Sequence, residues 1–565
     1  MIKKDIRQER GAAFVVIIGM VLALTQTGGI VMSQEKSVQQ MAVKALDNIP
    51  VSSIERAEKD GTAYHVSLTE LTKLALRNNL DIAISDTNEE LYQAKILQAH
   101  GPYDPAISFA LNLRDTTQPN TNLTVQASGN SNFTKTDTWN FQFNQNVATG
   151  GSLVASLQSN RTDTNQIFAL INPQYNTTSS IQFTQPLLRN RHIDQNRGTI
   201  KIANLDLKIN DSQFKQTVTN TIATIQGVYW DLVYAIQNYD FTRQSVKLAQ
   251  ITVDQNREKV RIGTASPMDV TVAQATVASR MVDLISAQQT INIAENNLIS
   301  TISNDHKSDL WQKVIVPTDS ADFVAYKADL NRSIDAALRY RPELEQYDLQ
   351  MQENDVSYAV DKNQKKWQLD AVGSFGTVGV AGPQSYTYNA LTQNETANIP
   401  NSLVGGIGTA YQTLFSQGFM NWMVGVNIQI PLRNRSLEGQ LGQLQVQKKQ
   451  LLMNRKSQEQ KIAVQIRNAV DDLESNKQKV ETAKVARQLA EAQLDAENKR
   501  FQAGMSSNFL ILQRQNDLFT AQAAELQASV AYKKAIITLQ QDEYTLLQTS
   551  DFEIVGKGAG APKLK

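Results

Sequence analysis

Cysteine is absent from all 565 residues, which excludes disulfides, thiolate metal sites and a lipid-modified N-terminal cysteine. Histidine is nearly so: His65, His100, His192 and His306 stand scattered, without ligand spacing, and no metal site is expected. There is no surplus of charge, since 55 Lys and Arg balance 55 Asp and Glu. Nothing therefore draws the chain in bulk to nucleic acid or to an anionic surface. Hydrophobic residues make up 41% and aromatics 7%, too polar a mixture for a bundle of membrane-spanning helices. No cluster of catalytic type lies at a strand end or turn, so neither an enzyme nor a cofactor is expected. Gly556-Lys557-Gly558-Ala559-Gly560 lacks the spacing of a phosphate loop and is taken as part of a flexible tail, 549–565.

The one strongly apolar stretch is N-terminal. Lys3, Lys4, Arg7 and Arg10 precede an apolar core from Ala12 to Leu24, and Val31-Met32-Ser33 offers a small-residue cleavage site. Residues 1–33 are expected to be a secretory signal peptide, the alternative being a single anchor helix. The core is shorter than the roughly 20 residues a spanning helix needs. Residues 34–66 are expected to be a polar, loosely structured lead-in.

What is present is a sentence said twice. Val260-Arg261-Ile262-Gly263-Thr264-Ala265-Ser266-Pro267-Met268-Asp269-Val270 returns as Phe501-Gln502-Ala503-Gly504-Met505-Ser506-Ser507-Asn508-Phe509-Leu510-Ile511. Gln185-Pro186-Leu187-Leu188-Arg189-Asn190 is echoed by Ile430-Pro431-Leu432-Arg433-Asn434, and Ala75-Leu76-Arg77-Asn78-Asn79 by Ala337-Leu338-Arg339-Tyr340-Arg341. Three landmarks in the same order indicate duplication. The first repeat spans 67–330, with strands in 105–187, a long helical hairpin in 192–303 and a connector in 304–330. The second spans 331–548, with strands in 368–431 and a hairpin in 436–548.

Helical patterns begin at Ser67 and again at about Leu80 to Ala99. Nothing breaks the helix from about Gln195 to Ile262, which at 1.5 Å per residue reaches about 100 Å; Leu437 to Ala503 is nearly as long. No single globular core buries such helices, so they must pack along one another. Val270, Val277, Leu284, Ile291 and Leu298 recur every seven residues beside Ala273, Ala287 and Ala294, a seam broken by Arg280. Ala521, Ala524, Ala528, Ala531 and Ala535 make a second, small-residue seam suited to helices with two neighbours. A plain two-stranded coiled coil would show the same periodicity. Gly263 and Gly504 mark helix reversals, with Ser266-Pro267 and Ser507-Asn508 starting the returning helices.

Between helices the period falls to two. Ile107, Phe109, Leu111 and Leu113 alternate with polar or small residues, as do Trp139, Phe141 and Phe143, and Trp422, Val424, Val426, Ile428 and Ile430. Residues 152–158, Ile181 with Phe183, and 368–376 add weaker strands, six in all. The turn at Gly150-Gly151 is short, while 115–137, 161–178 and 379–420 are expected to be long polar loops. Trp139 and Trp422 are expected at strand starts, and Pro186 and Pro431 at strand-to-helix junctions. A soluble sandwich is one alternative. Strand length and the alternation of short turns with long loops favour an outer-membrane barrel closed by symmetric oligomerisation.

The duplicated plan, the Gln-Pro-Leu-Leu junction and the glycine turns followed by Asp269-Val270 resemble the TolC-like outer-membrane efflux protein family over roughly Ser67 to Gln548. The resemblance implies an α+β membrane protein, internally duplicated. Its homotrimer would form an outer-membrane β-barrel continued by a long periplasmic α-helical barrel. The implied function is a passive duct in contact with outer-membrane lipid, a periplasmic adaptor and, directly or through it, an inner-membrane pump. A protein-secretion duct, or a structural coiled coil or adhesin, is the alternative. The family usually contributes four barrel strands per chain, twelve in the trimer, so the hairpin at 138–158 is extra: either the barrel has eighteen strands or the hairpin lies outside it, and the second is expected. By match, Gly263, Thr264 and Ala265 form one adaptor-docking turn, and Gly504, Met505 and Ser506 the other. The best-known members of that family place aspartates six and nine residues after the second glycine; here those positions are Leu510 and Gln513. A tethering Tyr and Arg are replaced by Phe501 and Ser506. Asp269 alone is retained, and it equally fits a helix N-terminal carboxylate. Asp269, Leu510 and Gln513 are the expected constriction.

Overall fold

Polar residues that cap helix ends set the first elements of the computed structural model, which describes residues 51–120, 131–166, 169–384, 388–389, 394–395 and 399–549. The expected signal peptide, and the tail beyond residue 549, lie outside the described residues. Ser52 caps α1 (Ser53–Asp60), its hydroxyl accepting from the Glu55 N–H at 3.0 Å. Strand β1 (Ala63–Val66) follows. Ser67 and Glu70 form a capping box at the start of α2 (Leu68–Asn78), satisfying two N–H groups that a helix end leaves bare. Asn79 then opens α3 (Leu80–His100), accepting from Asp81 and Ile82 and donating to the Thr301 carbonyl at 2.7 Å. The lead-in is thus ordered from residue 53, contrary to expectation. The reason is non-local: β1 pairs in parallel with β6 (Val314–Pro317), about 250 residues away in sequence.

The strands β2 (Ala106–Pro119), β3 (Ser131–Asn146), β4 (Ser152–Thr164) and β5 (Gln174–Pro186) precede a 67-residue helix, α4 (Gln195–Arg261), and its return, α5 (Pro267–Ile302). The second repeat gives α6 (Leu330–Tyr340), α7 (Pro342–Gln364) and β7 (Gln368–Ala381). After the two-residue ladder of β8 (Tyr388–Asn389) with β9 (Asn394–Glu395) come α8 (Ile407–Phe415) and β10 (Met420–Gln429). The 68-residue α9 (Arg435–Gln502) and α10 (Asn508–Asp542) complete it. Among the described residues no helix is long and apolar enough to cross a membrane.

Two compact units emerge, and neither is a sequence repeat. Among the described residues, one comprises 51–83, 217–340 and 462–549; the other lies within 84–216 and 341–461. Each unit draws on both repeats because α4 and α9 each contribute to both.

In the first unit the predicted seam is buried at Val277, Leu284, Ile291 and Leu298 with Ala273, Ala287 and Ala294, while Val270, beside the turn, is half-covered. Ala273 and Val277 pack on Ala249 and Val253 of α4. The second hairpin packs Ala469, Leu473 and Val480 against Tyr532, Ala535 and Leu539. Of the alanine seam only Ala535 is buried; Ala524 is exposed and Ala521, Ala528 and Ala531 are half-covered, so that stripe has room for another neighbour. The connector is pinned by hydroxyls. Tyr229 donates to Asp319 at 2.6 Å, and Tyr532 accepts from the Tyr326 N–H at 2.8 Å.

The second unit holds one six-stranded antiparallel sheet, ordered β10-β7-β5-β4-β3-β2. The expected four-stranded sheet with a separate hairpin is therefore corrected: β3 and β4 are inner strands, paired on both sides. Trp139 lies mid-strand, not at a strand start, because β3 begins at Ser131 within the expected loop. The expected loop 379–420 is also partly regular, containing α8.

Direct partners share a face. One face presents Ile107, Phe109, Leu111 and Leu113 at one edge and Trp422, Val424, Val426 and Ile428 at the other, all exposed. The other face presents Asn140, Gln142, Asn144, Gln158 and Gln182. Ala106, where β2 begins, shares a row with Met423, six residues inside the Gln429 end of β10 and five strands away. With about 3.3 Å per residue and about 4.8 Å between strands, this stagger is a slant of about 40°, within the range closed barrels require.

Candidate docking turns, constriction and junctions

Both hairpin reversals are built alike. Gly263 has φ +79° and Gly504 φ +75°, the left-handed region that only glycine enters without strain. The Gly263 N–H donates to the Val260 carbonyl at 3.0 Å and the Thr264 N–H to Lys259 at 2.9 Å. The Gly504 N–H donates to Phe501 at 3.1 Å and the Met505 N–H to Arg500 at 2.9 Å. These paired bonds are the Schellman closure, which satisfies carbonyls at the helix end. Gly263, Thr264, Gly504 and Met505 are exposed; Ala265 and Ser506 are half-covered.

The returning helices start on Ser266 and Ser507. Asp269 completes a capping box, its carboxylate accepting from the Ser266 N–H at 3.0 Å. Its charge is thereby used by its own helix end. Leu510 is half-covered and Gln513 exposed, on the first turns of α10.

Two buried residues that the sequence reading missed fasten these turns. Asn256 donates to the Asp269 carbonyl at 3.3 Å, and Glu497 accepts from the Ser506 hydroxyl. Each stands seven residues, two helical turns, before its glycine. That matched position, polar in both repeats, was the available signal. Between the hairpins the Lys259 ammonium sits 3.4 Å from the Phe501 ring centroid. Burial pushes the Lys259 pKa down, and the negative ring face offsets part of that cost. Arg280, which interrupted the α5 seam, donates to Asn516 at 2.5 Å and lies over Phe519.

The junctions at Pro186 and Pro431 also match. Pro186 closes β5 opposite Asp370. Asn190 then turns the chain at φ +65°, donating its N–H to Asn363 at 2.6 Å. Asp194 caps α4 through the Arg197 N–H at 2.8 Å. Pro431 lies just past β10, and Asn434 caps α9 by accepting from the Leu437 N–H at 3.1 Å.

The family model described as "Outer membrane efflux protein" matches residues 150–304 and 336–541. The probable efflux pump outer membrane protein TtgC of Pseudomonas putida is 22% identical over 349 residues, covering 61% of this chain and 63% of TtgC. The chain thus spans less than two thirds of that relative. The fold is similar to that of the Campylobacter jejuni CmeC outer membrane channel, with TM-score 0.57, 14% identity, and coverage of 85% of this chain and 86% of CmeC. The open-state Neisseria gonorrhoeae MtrE outer membrane channel gives TM-score 0.54, 15% identity, and coverage of 85% and 89%.

Proposed function

Because the chain belongs to the outer membrane efflux protein family, we propose that it is the outer-membrane channel of a tripartite efflux system. Three copies close their sheets into one barrel, and the helical hairpins continue it as a periplasmic tube. The duct is passive. It receives substrates through a periplasmic adaptor docked on Gly263–Ala265 and Gly504–Ser506, with an inner-membrane pump supplying the energy.

The observation that carries this reading is the sheet. It is amphipathic, slanted by about 40° and open at two edges whose apolar side chains are exposed. An open edge in hydrocarbon leaves backbone groups without partners, each costing several kcal/mol, so closure is required. Because β3 and β4 lie inside the sheet, all six strands per copy enter the barrel, eighteen in total. At that slant and about 4.8 Å between strands the radius is about 18 Å, against about 12 Å for twelve strands.

The tube narrows at its far end, where Leu510 and Gln513 line the constriction and Asp269 serves its helix cap. Without an acidic ring, multivalent cations find no strong site. Planar-bilayer recording of the purified protein tests both points: steady pores little affected by multivalent cations are expected. Absence of pores refutes the duct, and strong block at low cation concentration refutes the neutral constriction.

A further inference from the structure

The apolar face of the sheet has a polar gap. On β2 it is apolar from the junction end up to Leu113 and on β10 up to Met420. On β4, β5 and β7 between them it turns polar through Ser159, Thr177, Ser179 and Thr377. Beyond Trp139 the same face of β3 and β4 carries the Asp137–Arg161 ion pair at 3.2 Å. Bare hydroxyls on a lipid-facing wall are costly; Ser159, 1% exposed, is covered and hydrogen-bonded, while Thr177, 0% exposed, is covered with its hydroxyl unpaired among the described residues.

Helix α8 covers them. It sits on this face because Gly379, in the same row as Trp139, Ser159 and Thr177, gives it room: a Cβ there would lie 2.0 Å from the Ala410 carbonyl oxygen. Ala410 and Leu414 are buried against the sheet. The Tyr411 hydroxyl accepts from Trp139 Nε1 at 3.1 Å and bonds Ser159 Oγ at 3.0 Å. Ser179 and Thr377 satisfy each other at 2.9 Å. On its outer side α8 exposes Gly408, Gln412 and Phe415, the last 73% exposed, and the chain continues to exposed Phe419 and Trp422.

We propose that α8 is part of the lipid-facing wall, an external helix that meets the acyl chains of the outer leaflet. The inference rests on the barrel reading above. Trp139 is seven residues from the Asn146 end of its strand and Gly379 eleven from Gln368. At the slant found, these two positions along one row stand about 18 Å and about 28 Å above the junction end. An outer-membrane apolar band is about 25 Å tall. The helix therefore occupies the upper margin of the band, where the bare strands have already become polar, and restores its height.

The cysteine-free chain makes this testable by site-directed nitroxide labelling of the full-length protein in phospholipid vesicles. Phe415→Cys and Gln412→Cys report on α8, Phe109→Cys on the sheet face, and Thr149→Cys on the short turn. The expected result is that both α8 labels resemble position 109, accessible to oxygen and severalfold protected from a water-soluble nickel chelate, while position 149 is nickel-accessible. Nickel-accessible α8 labels beside a protected position 109 would overturn the inference and leave the barrel standing. A nickel-accessible position 109 would overturn the barrel reading, and the inference with it.

Discussion

The proposed edge closure would fix which residues of neighbouring copies touch. With all strands antiparallel in the order found, β2 of one copy would run antiparallel to β10 of the next. Direct partners share a face, and a one-residue slip would turn the apolar side inward. Leu111 must therefore oppose an even-numbered residue of β10. Levelling Ala106 with Gln429 places it opposite Val424, and two residues of extra stagger place it opposite Val426. Directly paired Cα atoms are about 4.5–5.5 Å apart, inside the window of about 4.4–6.8 Å that a disulfide spans. In a chain without cysteine, Leu111→Cys combined with Val424→Cys or with Val426→Cys gives an unambiguous readout. One of the two pairs should oxidise in membranes to a product about three times the 62.8 kDa chain mass, through a band of two chains. Leu111→Cys with Gly425→Cys, on opposite faces, should remain monomeric on a denaturing gel. Efficient cross-linking of the odd register, or of none, refutes closure through these edges.

Gly504→Ala forces a side chain into φ +75° and should destabilise the second turn by about 1 kcal/mol; faster amide exchange confined to residues near the turn, with adaptor cross-linking reduced, is the expected result. Glu497→Ala removes a charge-assisted bond to Ser506 and should accelerate exchange at the same turn, whereas general unfolding would contradict a local role. Glu353 in α7 has its pKa raised to about 7, first by burial and then by the neighbouring Asp206 carboxylate. Its folded form holds a proton that the unfolded chain releases near the ordinary carboxylate value, so stability should fall as pH rises through roughly 4.5 to 7. Thermal unfolding of Glu353→Gln should lose that part of the pH dependence; an unchanged profile refutes the assignment.

Much of this architecture was legible because long-range order came from local chemistry. The paired glycine turns, the 67- and 68-residue helices and the heptad burying Val277, Leu284 and Ile291 follow from φ preference and periodicity. The capping role of Asp269 was foreseen as one of two readings, and the contacts at Ser266 show it. Other features depended on partners remote in sequence. β1 pairs with β6 across the whole first repeat. The inner strands β4 and β5 carry polar residues on one face and, through Ser159, Thr177 and Ser179, a helix-covered polar patch on the other, so their alternation is faint and their far ends fall in the expected loop 161–178. Helix α8 was hidden in a glycine-rich stretch because its burial depends on Gly379 and the sheet beneath. At the turns, Asn256 and Glu497 looked like ordinary polar residues of a helix until the returning chain showed what they hold.

We propose that three copies join edge to edge into one hole through the outer membrane. Imaging the purified protein in a lipid nanodisc by electron cryomicroscopy, and counting strands in a section across the barrel, tests it most directly. Eighteen strands in three equal sets are predicted. A twelve-stranded ring with β3 and β4 outside the wall would contradict the strand assignment, and a single chain with its sheet closed on itself would contradict the duct altogether.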